Sequence, residues 1–329
     1  MKLLVLGGTA FLGRHLVEEA LARGHEVTLF NRGRTNADLF PDVERVTGDR
    51  DGGLEPLRGR RWDAVVDTSG YVPRVVRQSA ELLGDTGVYA FVSSGSVYPL
   101  QAPDRSEDAP VDRMDDAASE DVRAHYGALK ALCEEVVTDV FGDRALIARS
   151  GLIVGPFDPT GRFTYWAVRL GRGGEVLGPG APDRHVQFID ARDQAAWILD
   201  MAAAGRGGTF NVAGPAEPLA FADLVGRASG PVTWVPDQFL LDAGVQPYTE
   251  MPLWVPASVG RLNMPIDRAL AAGLRHRDVD ETIRDTRAWA ESQDGAVGQV
   301  DAGGRVRQPT AMTPEREAEL LERWHANVG

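Results

Sequence analysis

Cysteine is almost absent from this sequence. Among 329 residues there is one, Cys133, so no disulfide can form within the chain. It falls on a stretch of helical spacing, where a packed thiol is the expected state. Long runs of lysine and arginine are also missing, and the formal net charge is −13. Nucleic-acid affinity rests on cations that neutralise phosphates, so a polyanionic partner is disfavoured. No apolar stretch is long enough to cross a bilayer, and Gly7 and Gly8 interrupt the opening apolar run too early for a signal sequence. A soluble, cytoplasmic protein is therefore expected. The six histidines are scattered, with no H-x-x-x-H pair and no Cys/His cluster, so no metal site is expected. No internal repeat is present. With 43% apolar and 25% charged residues, the length suits one large α/β domain or a domain with a smaller lobe.

The first sixteen residues organise the rest. Leu3, Leu4, Val5 and Leu6 form an apolar run without helical spacing, which predicts a strand buried on both faces of a parallel sheet. A turn of small residues follows, and then Phe11, Leu12, His15, Leu16 and Glu19 recur at helical spacing. Strand, glycine-rich turn and helix are the parts of a phosphate cradle: backbone N–H groups approach a pyrophosphate, and the helix N-terminus adds partial positive charge. Further strands are expected at 26–30, 43–47, 62–67, 87–94, 144–153 and 209–212, with helices at 73–83, 122–141 and 188–201. This alternation predicts an α/β fold, a doubly wound parallel sheet of Rossmann type. Residues 101–121 carry eight acidic residues against two basic ones and read as a solvated loop crossing the C-terminal edge of the sheet. Beyond residue 215 tryptophan and proline become frequent, which suggests a smaller C-terminal substrate lobe. The glycine-rich stretch 293–312 is expected to be mobile, and Thr313-Pro314 to open a last helix with an N-cap and a proline at its first position.

Two local patterns carry chemistry. Tyr126 and Lys130 stand four apart, on one face of a helix. A phenol ionises at about 10, too high for a proton shuttle at neutral pH, and a neighbouring cation favours its phenolate. Lys130 is also expected to reach outward as a hydrogen-bond donor. Ser93 and Ser94 end the 87–94 strand at the edge where open α/β sheets bind ligands. A serine hydroxyl there can donate to an oxygen that gains negative charge during hydride transfer. His125 faces another side of the helix and is read as structural. Arg184 stays open between an ion pair and a substrate contact.

Gly7-Gly8-Thr9-Ala10-Phe11-Leu12-Gly13, Ser93-Ser94-Gly95-Ser96-Val97-Tyr98, Tyr126 with Lys130, and Arg149 with Gly155-Pro156 resemble the extended short-chain dehydrogenase/reductases, the NAD-dependent epimerase/dehydratase family. The resemblance covers roughly residues 1–215 and is loose beyond them. It implies that Tyr126 is the acid/base, that Lys130 lowers its pKa and binds the nicotinamide ribose, that Ser94 polarises the substrate carbonyl, and that Asp49 meets the adenine. Gly7, Thr9, Ala10, Phe11, Leu12, Gly13, Asn31, Arg32, Arg34, Asp49, Arg50, Thr68, Ser69 and Lys130 are the candidate cofactor contacts, and Ser94, Ser96 and Arg184 the candidate substrate contacts. The implied domains are 1–155 with 186–214 for the dinucleotide, and 156–185 with 215–329 for the substrate. Homodimers through the helices flanking Lys130 are common in the family.

Departures from the family's pattern narrow the expectation. The middle glycine of the turn is Ala10 here. Where dehydratases of the family carry an Asp-Glu pair, this chain has Gly95-Ser96, and elimination of water needs a second acid and base. Nucleotide-sugar epimerases usually carry an asparagine where Leu152 stands and a phosphate-binding arginine where Val186 stands, with Arg184 two residues away. At the end of the second strand a carboxylate would accept from both ribose hydroxyls of NAD; here stands Asn31, with Arg32 and Arg34 beside it, which favours a 2′-phosphate and hence NADP, with NAD the alternative. The expected function is an NADP(H)-dependent oxidoreductase interconverting a carbonyl and an alcohol of a small molecule. Epimerisation through a transient ketone is the nearest alternative. A catalytically idle dinucleotide- or RNA-binding relative is the alternative of another class, opposed by the Ser94/Tyr126/Lys130 set and the charge of −13.

Overall fold

Leu3, Leu4, Val5 and Leu6 are all at most 1% exposed, and they form the central strand of the sheet, β1 (Lys2–Leu6). The computed structural model describes residues 1–114, 116, 118–293, 299–300, 306–307 and 311–329; the stretch 293–312, expected to be mobile, lies mostly outside them. After β1 the chain runs through α1 (Phe11–Ala22), β2 (Glu26–Asn31), β3 (Glu44–Thr47), β4 (Ala64–Asp67), α2 (Pro73–Leu82), β5 (Val88–Ser94), α3 (Val122–Phe141), β6 (Ala145–Ser150), β7 (Ile153–Val154), α4 (Arg162–Arg172), β8 (Val176–Pro179) and β9 (His185–Asp190). It continues through α5 (Ala191–Ala203), β10 (Gly208–Val212), β11 (Gly214–Ala220), α6 (Phe221–Val225), β12 (Val232–Val235), α7 (Asp237–Asp242), α8 (Asp267–Ala271), α9 (Val279–Ser292) and α10 (Pro314–Val328).

Seven strands form one sheet in the order β10-β6-β5-β4-β1-β2-β3, and all its pairings are parallel. The chain winds outward from β1 in both directions, so the strand order reverses beside it. Leu6 pairs with Phe30 and with Asp67, and Ser94 with Ser150, which aligns the strand ends along one edge. That edge, at the reversal, is where doubly wound sheets bind ligands.

The chain divides into two compact units. The first comprises 1–153, 191–213 and 264–276, and the second 154–190, 214–263 and 277–329. In the first, Leu4, Leu6, Val65, Tyr89 and Phe91 from the sheet pack with Cys133, Val137 and Phe141 of α3. Cys133 is a buried free thiol in that core. In the second unit, Trp166 of α4 lies edge-on to Phe221 at 5.3 Å, and its indole N–H donates to the Pro252 carbonyl at 2.8 Å. Phe163 packs on Phe188 at 4.7 Å. The last helix begins as expected, with Thr313 Oγ1 accepting from the Arg316 amide at 3.2 Å and Pro314 in the first turn.

Three expectations need correction. Residues 188–190 do not open a helix but close β9, because His185–Asp190 alternates in burial as a strand and pairs with β11, and α5 starts only at Ala191. The strand expected over 144–153 stops at Ser150: the Gly151 amide makes the last bond to β10, on the Val212 carbonyl at 2.9 Å, and Ile153–Val154 pair in another sheet, with β9. The loop 101–121 is not wholly solvated. Arg105 is 3% exposed and donates to the Gly95 carbonyl, and a Glu107 carboxyl oxygen accepts the Asn211 amide at 2.9 Å. Main-chain groups at the sheet's end need such partners once water is excluded.

α10 is fastened by a buried ion pair. Arg169 Nε donates to Glu317 Oε2 at 2.6 Å, while Glu317 Oε1 accepts the Leu177 amide at 3.1 Å. Glu317→Ala would strand the guanidinium without its counter-charge. The expected loss is about 3–5 kcal/mol of unfolding free energy, read from urea denaturation. A loss below about 1 kcal/mol, the range of exposed pairs, would mean that Arg169 finds water.

Candidate dinucleotide and catalytic site

The turn after β1 is built without room for side chains. Gly7 and Gly8 have φ of 113° and 90°, a region closed to ordinary residues. A Cβ on Gly7 would stand 2.5 Å from Thr68 Oγ1, and one on Gly13 would stand 2.9 Å from the Gly8 amide nitrogen. α1 therefore begins hard against the turn. Its N-cap residue, Ala10, supplies no side-chain bond, and no acidic residue occupies its first turn. The first amides of Phe11, Leu12 and Gly13 are thus left to an anion, with the helix dipole behind them. These features fit the pyrophosphate of a dinucleotide. Thr9 is buried, and its carbonyl accepts from Asn36 Nδ2 at 2.7 Å, which fixes the turn from above β2.

At the end of β2, Asn31 ties the same turn together: Nδ2 donates to the Gly7 carbonyl and Oδ1 accepts the Gly33 amide, both at 2.9 Å. Arg32 and Arg34 are exposed beyond it, as is Asp49 beyond β3. Thr68 and Ser69 turn their hydroxyls to the Leu6 carbonyl at 3.0 and 3.2 Å, closing the loop after β4 onto the end of β1.

Arg50, expected among the cofactor contacts, is partly buried, 14% exposed, and its guanidinium is held by the protein. Its Nη1 and Nη2 donate to the two oxygens of Asp67 at 2.8 Å each, and Nη2 also to Ser79 Oγ at 2.8 Å. Tyr89 donates to Asp67 Oδ2 at 2.9 Å. A fully buried carboxylate needs a cation and donors. Burial pushes the Asp67 carboxyl upward, but the charge and hydrogen bonds of Arg50 outweigh it and hold Asp67 below the usual carboxylate range.

The catalytic candidates gather where α3 meets the end of β5. Ser94 Oγ accepts the Ser96 amide at 3.1 Å and caps the short turn over Gly95–Val97, leaving Ser96 exposed. α3 starts on Asp121, whose carboxylate accepts the Arg123 and Ala124 amides. It kinks at His125 (φ −128°, ψ 31°), the exposed residue just before Tyr126. A Cβ on Gly127 would stand 2.0 Å from the Ser96 carbonyl oxygen, so the helix rests directly on the serine turn. Tyr126 is 37% exposed.

Lys130 does not reach outward. It is 3% exposed, and Nζ donates to the carbonyls of Gly70 at 2.8 Å and Val92 at 2.6 Å, standing 4.1 Å from the centre of the Phe91 ring. The face of α3 that carries Leu129, Lys130, Cys133 and Val137 is the one packed on the sheet, which turns the ammonium inward. Desolvation brings it down to about 8.

Glu134 is the residue that the sequence reading missed. It accepts Ser93 Oγ at 2.5 Å and Arg149 through Nε at 3.1 Å and Nη2 at 2.8 Å. Arg149 Nη1 reaches Tyr98 OH at 2.8 Å, and Tyr98 donates to Asn211 Oδ1 at 2.9 Å. The available signal was the four-residue spacing from Lys130, which puts Glu134 on the same inward face. Arg184 belongs to the second unit, where Asp237 Oδ2 holds Nη2 at 3.0 Å and the Val255 carbonyl holds Nη1.

The sequence pattern described as the NAD dependent epimerase/dehydratase family matches residues 3–75 and 59–213. The chain belongs to this family, the extended short-chain dehydrogenase/reductases, whose members include NAD-dependent enzymes. A UDP-glucose 4-epimerase of Neisseria meningitidis serogroup B is 27% identical over 167 residues, 42% of this chain and 48% of that protein. The chloroplast stem-loop binding protein of 41 kDa b from Arabidopsis thaliana is 31% identical over 113 residues, 30% of each chain. The matched stretch thus spans about half of the first relative and under a third of the second. Among solved structures, UDP-glucuronic acid 4-epimerase from Bacillus cereus in complex with NAD superposes with a TM-score of 0.62 at 16% identity, covering 89% of this chain and 99% of that one. Among the described residues no cluster of three His, Cys, Asp or Glu could hold a metal ion, and no helix is long and apolar enough to cross a membrane.

The buried ammonium makes stability depend on pH. In the unfolded chain Lys130 keeps its proton up to 10.5, and in the folded protein only up to about 8. Between those values the unfolded chain binds more protons, so unfolding free energy rises with pH. In dinucleotide-free protein, the stability of the wild type relative to Lys130→Met should climb across that window by up to about 1.4 kcal/mol per pH unit. Urea denaturation at stepped pH checks this, and a flat difference would mean that the ammonium is hydrated.

Proposed function

We propose that the protein is an NADP(H)-dependent oxidoreductase that interconverts a carbonyl and an alcohol, with Ser94, Tyr126 and Lys130 as its working side chains. The observation that carries this reading is the double fastening of α3 to the end of β5, by Lys130 Nζ on the Val92 carbonyl and by Gly127 against the Ser96 carbonyl. That fastening supports a phenol, a hydroxyl and a cation acting together. In the direction of oxidation, Tyr126 as phenolate takes the proton of the substrate hydroxyl. A dinucleotide held at the Gly7–Gly13 turn would supply the hydride acceptor for the carbon that bears that hydroxyl. Ser94 Oγ is already an acceptor for the Ser96 amide, so its own hydrogen is available to the substrate oxygen. Lys130 uses two of its three N–H bonds on backbone carbonyls. From that buried position its charge favours the phenolate one helical turn away.

The preference for NADP rests on Asn31 with the exposed Arg32 and Arg34, since no carboxylate stands at the end of β2 to repel a 2′-phosphate. NAD is the alternative, in keeping with the family's description.

The likeness to a UDP-glucose 4-epimerase favours a second reading, epimerisation through a transient ketone on the same three side chains. Against a nucleotide-sugar substrate, the positions of the missing family contacts are Leu152 and Val186, 6% and 4% exposed, and packed apolar side chains bind no phosphate. Against a dehydratase, Gly95 and Ser96 stand where an acid pair would be needed, and a Cβ at Gly95 would stand 2.6 Å from Met264 Sδ, so that side chain would have to move. The stem-loop binding relative raises an RNA-binding reading, which the net charge of −13 opposes.

Three measurements test these readings. Calorimetric titration should find NADPH bound more tightly than NADH, with the preference lost in Arg32→Ala and Arg34→Ala; equal affinities in the wild type would remove the NADP assignment. Tyr126→Phe should keep dinucleotide affinity while turnover of an accepted carbonyl falls about 10²–10⁴-fold, and unchanged turnover would take the proton from another group. UDP- and dTDP-sugars should leave the melting temperature unmoved, whereas a ligand at a hundred times its Kd would add about 2.7 kcal/mol. A clear shift would restore the epimerase.

A further inference from the structure

Five large apolar side chains are exposed among the described residues: Leu21, Tyr71, Leu100, Tyr126 and Val328. Two of them are neighbours. The rings of Tyr71 and Tyr126 lie 6.4 Å apart, tilted by 41°, and Lys130 Nζ stands 5.4 Å from the centre of the Tyr71 ring. A soluble protein gathers exposed aromatic surface mainly where something binds.

Tyr71 is also held more rigidly than its exposure of 40% would suggest. On one side, the Gly70 carbonyl is bound by Lys130 Nζ at 2.8 Å, and a Cβ on Gly70 would stand 2.5 Å from the Phe91 ring. On the other side, Pro73 opens α2 and Val72 is extended, at φ −119° and ψ 121°. Yet the Tyr71 hydroxyl makes no hydrogen bond to any described residue, whereas Tyr89 donates to Asp67 and Tyr98 to Asn211. Its backbone is fixed, its ring is half-exposed and its hydroxyl does no structural work. A rigid, half-exposed phenol gives large contact area at small entropic cost.

We propose that Tyr71 determines substrate specificity: an apolar ring of the substrate lies on the Tyr71 ring while the reacting oxygen faces Tyr126. The inference rests on the oxidoreductase reading and adds the class of substrate, a carbonyl or alcohol joined to a ring with an apolar face. The ring can be an arene or the C–H face of a saturated ring, and Tyr71 would take either.

Calorimetry on protein saturated with NADP⁺ tests this without turnover. The probes are benzyl alcohol, cyclohexanol and open-chain hexanol. Wild type should bind the two ring alcohols about three- to tenfold more tightly than hexanol, the usual worth of an aromatic contact. Tyr71→Ala should abolish that preference, Tyr71→Phe should keep it, and neither should change the Kd for NADP⁺. A stronger hold on benzyl alcohol than on cyclohexanol marks an arene, and equal holds mark any apolar ring; both support the assignment. Equal binding of ring and chain alcohols by wild type, or a preference that survives in Tyr71→Ala, overturns it. Weaker NADP⁺ binding in Tyr71→Ala also overturns it, because the ring would then belong to the dinucleotide. If ring alcohols bind through Tyr71 but are never oxidised, the oxidoreductase reading fails and Tyr71 keeps only its role in binding the ring.

Discussion

A single buried ammonium joins the parts of the candidate site. Lys130 Nζ is bonded to the carbonyl of Gly70, in the loop after β4, and to that of Val92, in β5. It thereby fastens α3 to two neighbouring strands at the edge where their ends align. A desolvated cation is costly to bury, and here backbone carbonyls, the Phe91 ring and the charges around it offset that cost. The same bonds orient what surrounds them. Tyr126 is carried one turn up the helix, Tyr71 follows the bonded Gly70, and Ser94 lies two residues beyond the bonded Val92.

Beneath this runs a second buried network. Glu134, one turn after Lys130, joins Ser93 to Arg149, and Arg149 continues to Tyr98 and Asn211. The carboxylate and guanidinium are both shielded from water, so neither would be tolerated without the other. A rigid base of this kind keeps the strand ends of β5, β6 and β10 in register under the serine turn. The Arg50–Asp67 pair does the same for β4.

Much of this was legible in the residues. The apolar run of Leu3 to Leu6, the glycines after it and the four-residue step from Tyr126 to Lys130 depend on local periodicity, and the family's own signature covers the same stretch. What escaped depends on distant partners. Nothing near Arg50 announces that it will pair with Asp67, and nothing near Lys130 says which face of α3 meets the sheet. Residues 188–190 read as the start of a helix because the partner of their strand, β11, follows by more than twenty residues. The loop 101–121 was misjudged for a similar reason: its acidic composition hides Arg105 and Glu107, whose partners lie on other segments.

The order in which the chain is made has a bearing on how safely it folds. β6 ends at Ser150, but β10, which covers its outer edge, begins only at Gly208. Ribosomes add roughly 5–20 residues per second. For several seconds, therefore, a growing chain holds a nearly complete parallel sheet whose last strand is apolar over Ala145–Ala148, buried in the finished protein and open along one side. Such an edge is a template for pairing with other chains. Crowded expression would expose this interval more than dilute refolding, and a nascent chain halted between those two strands would be the form most prone to aggregate.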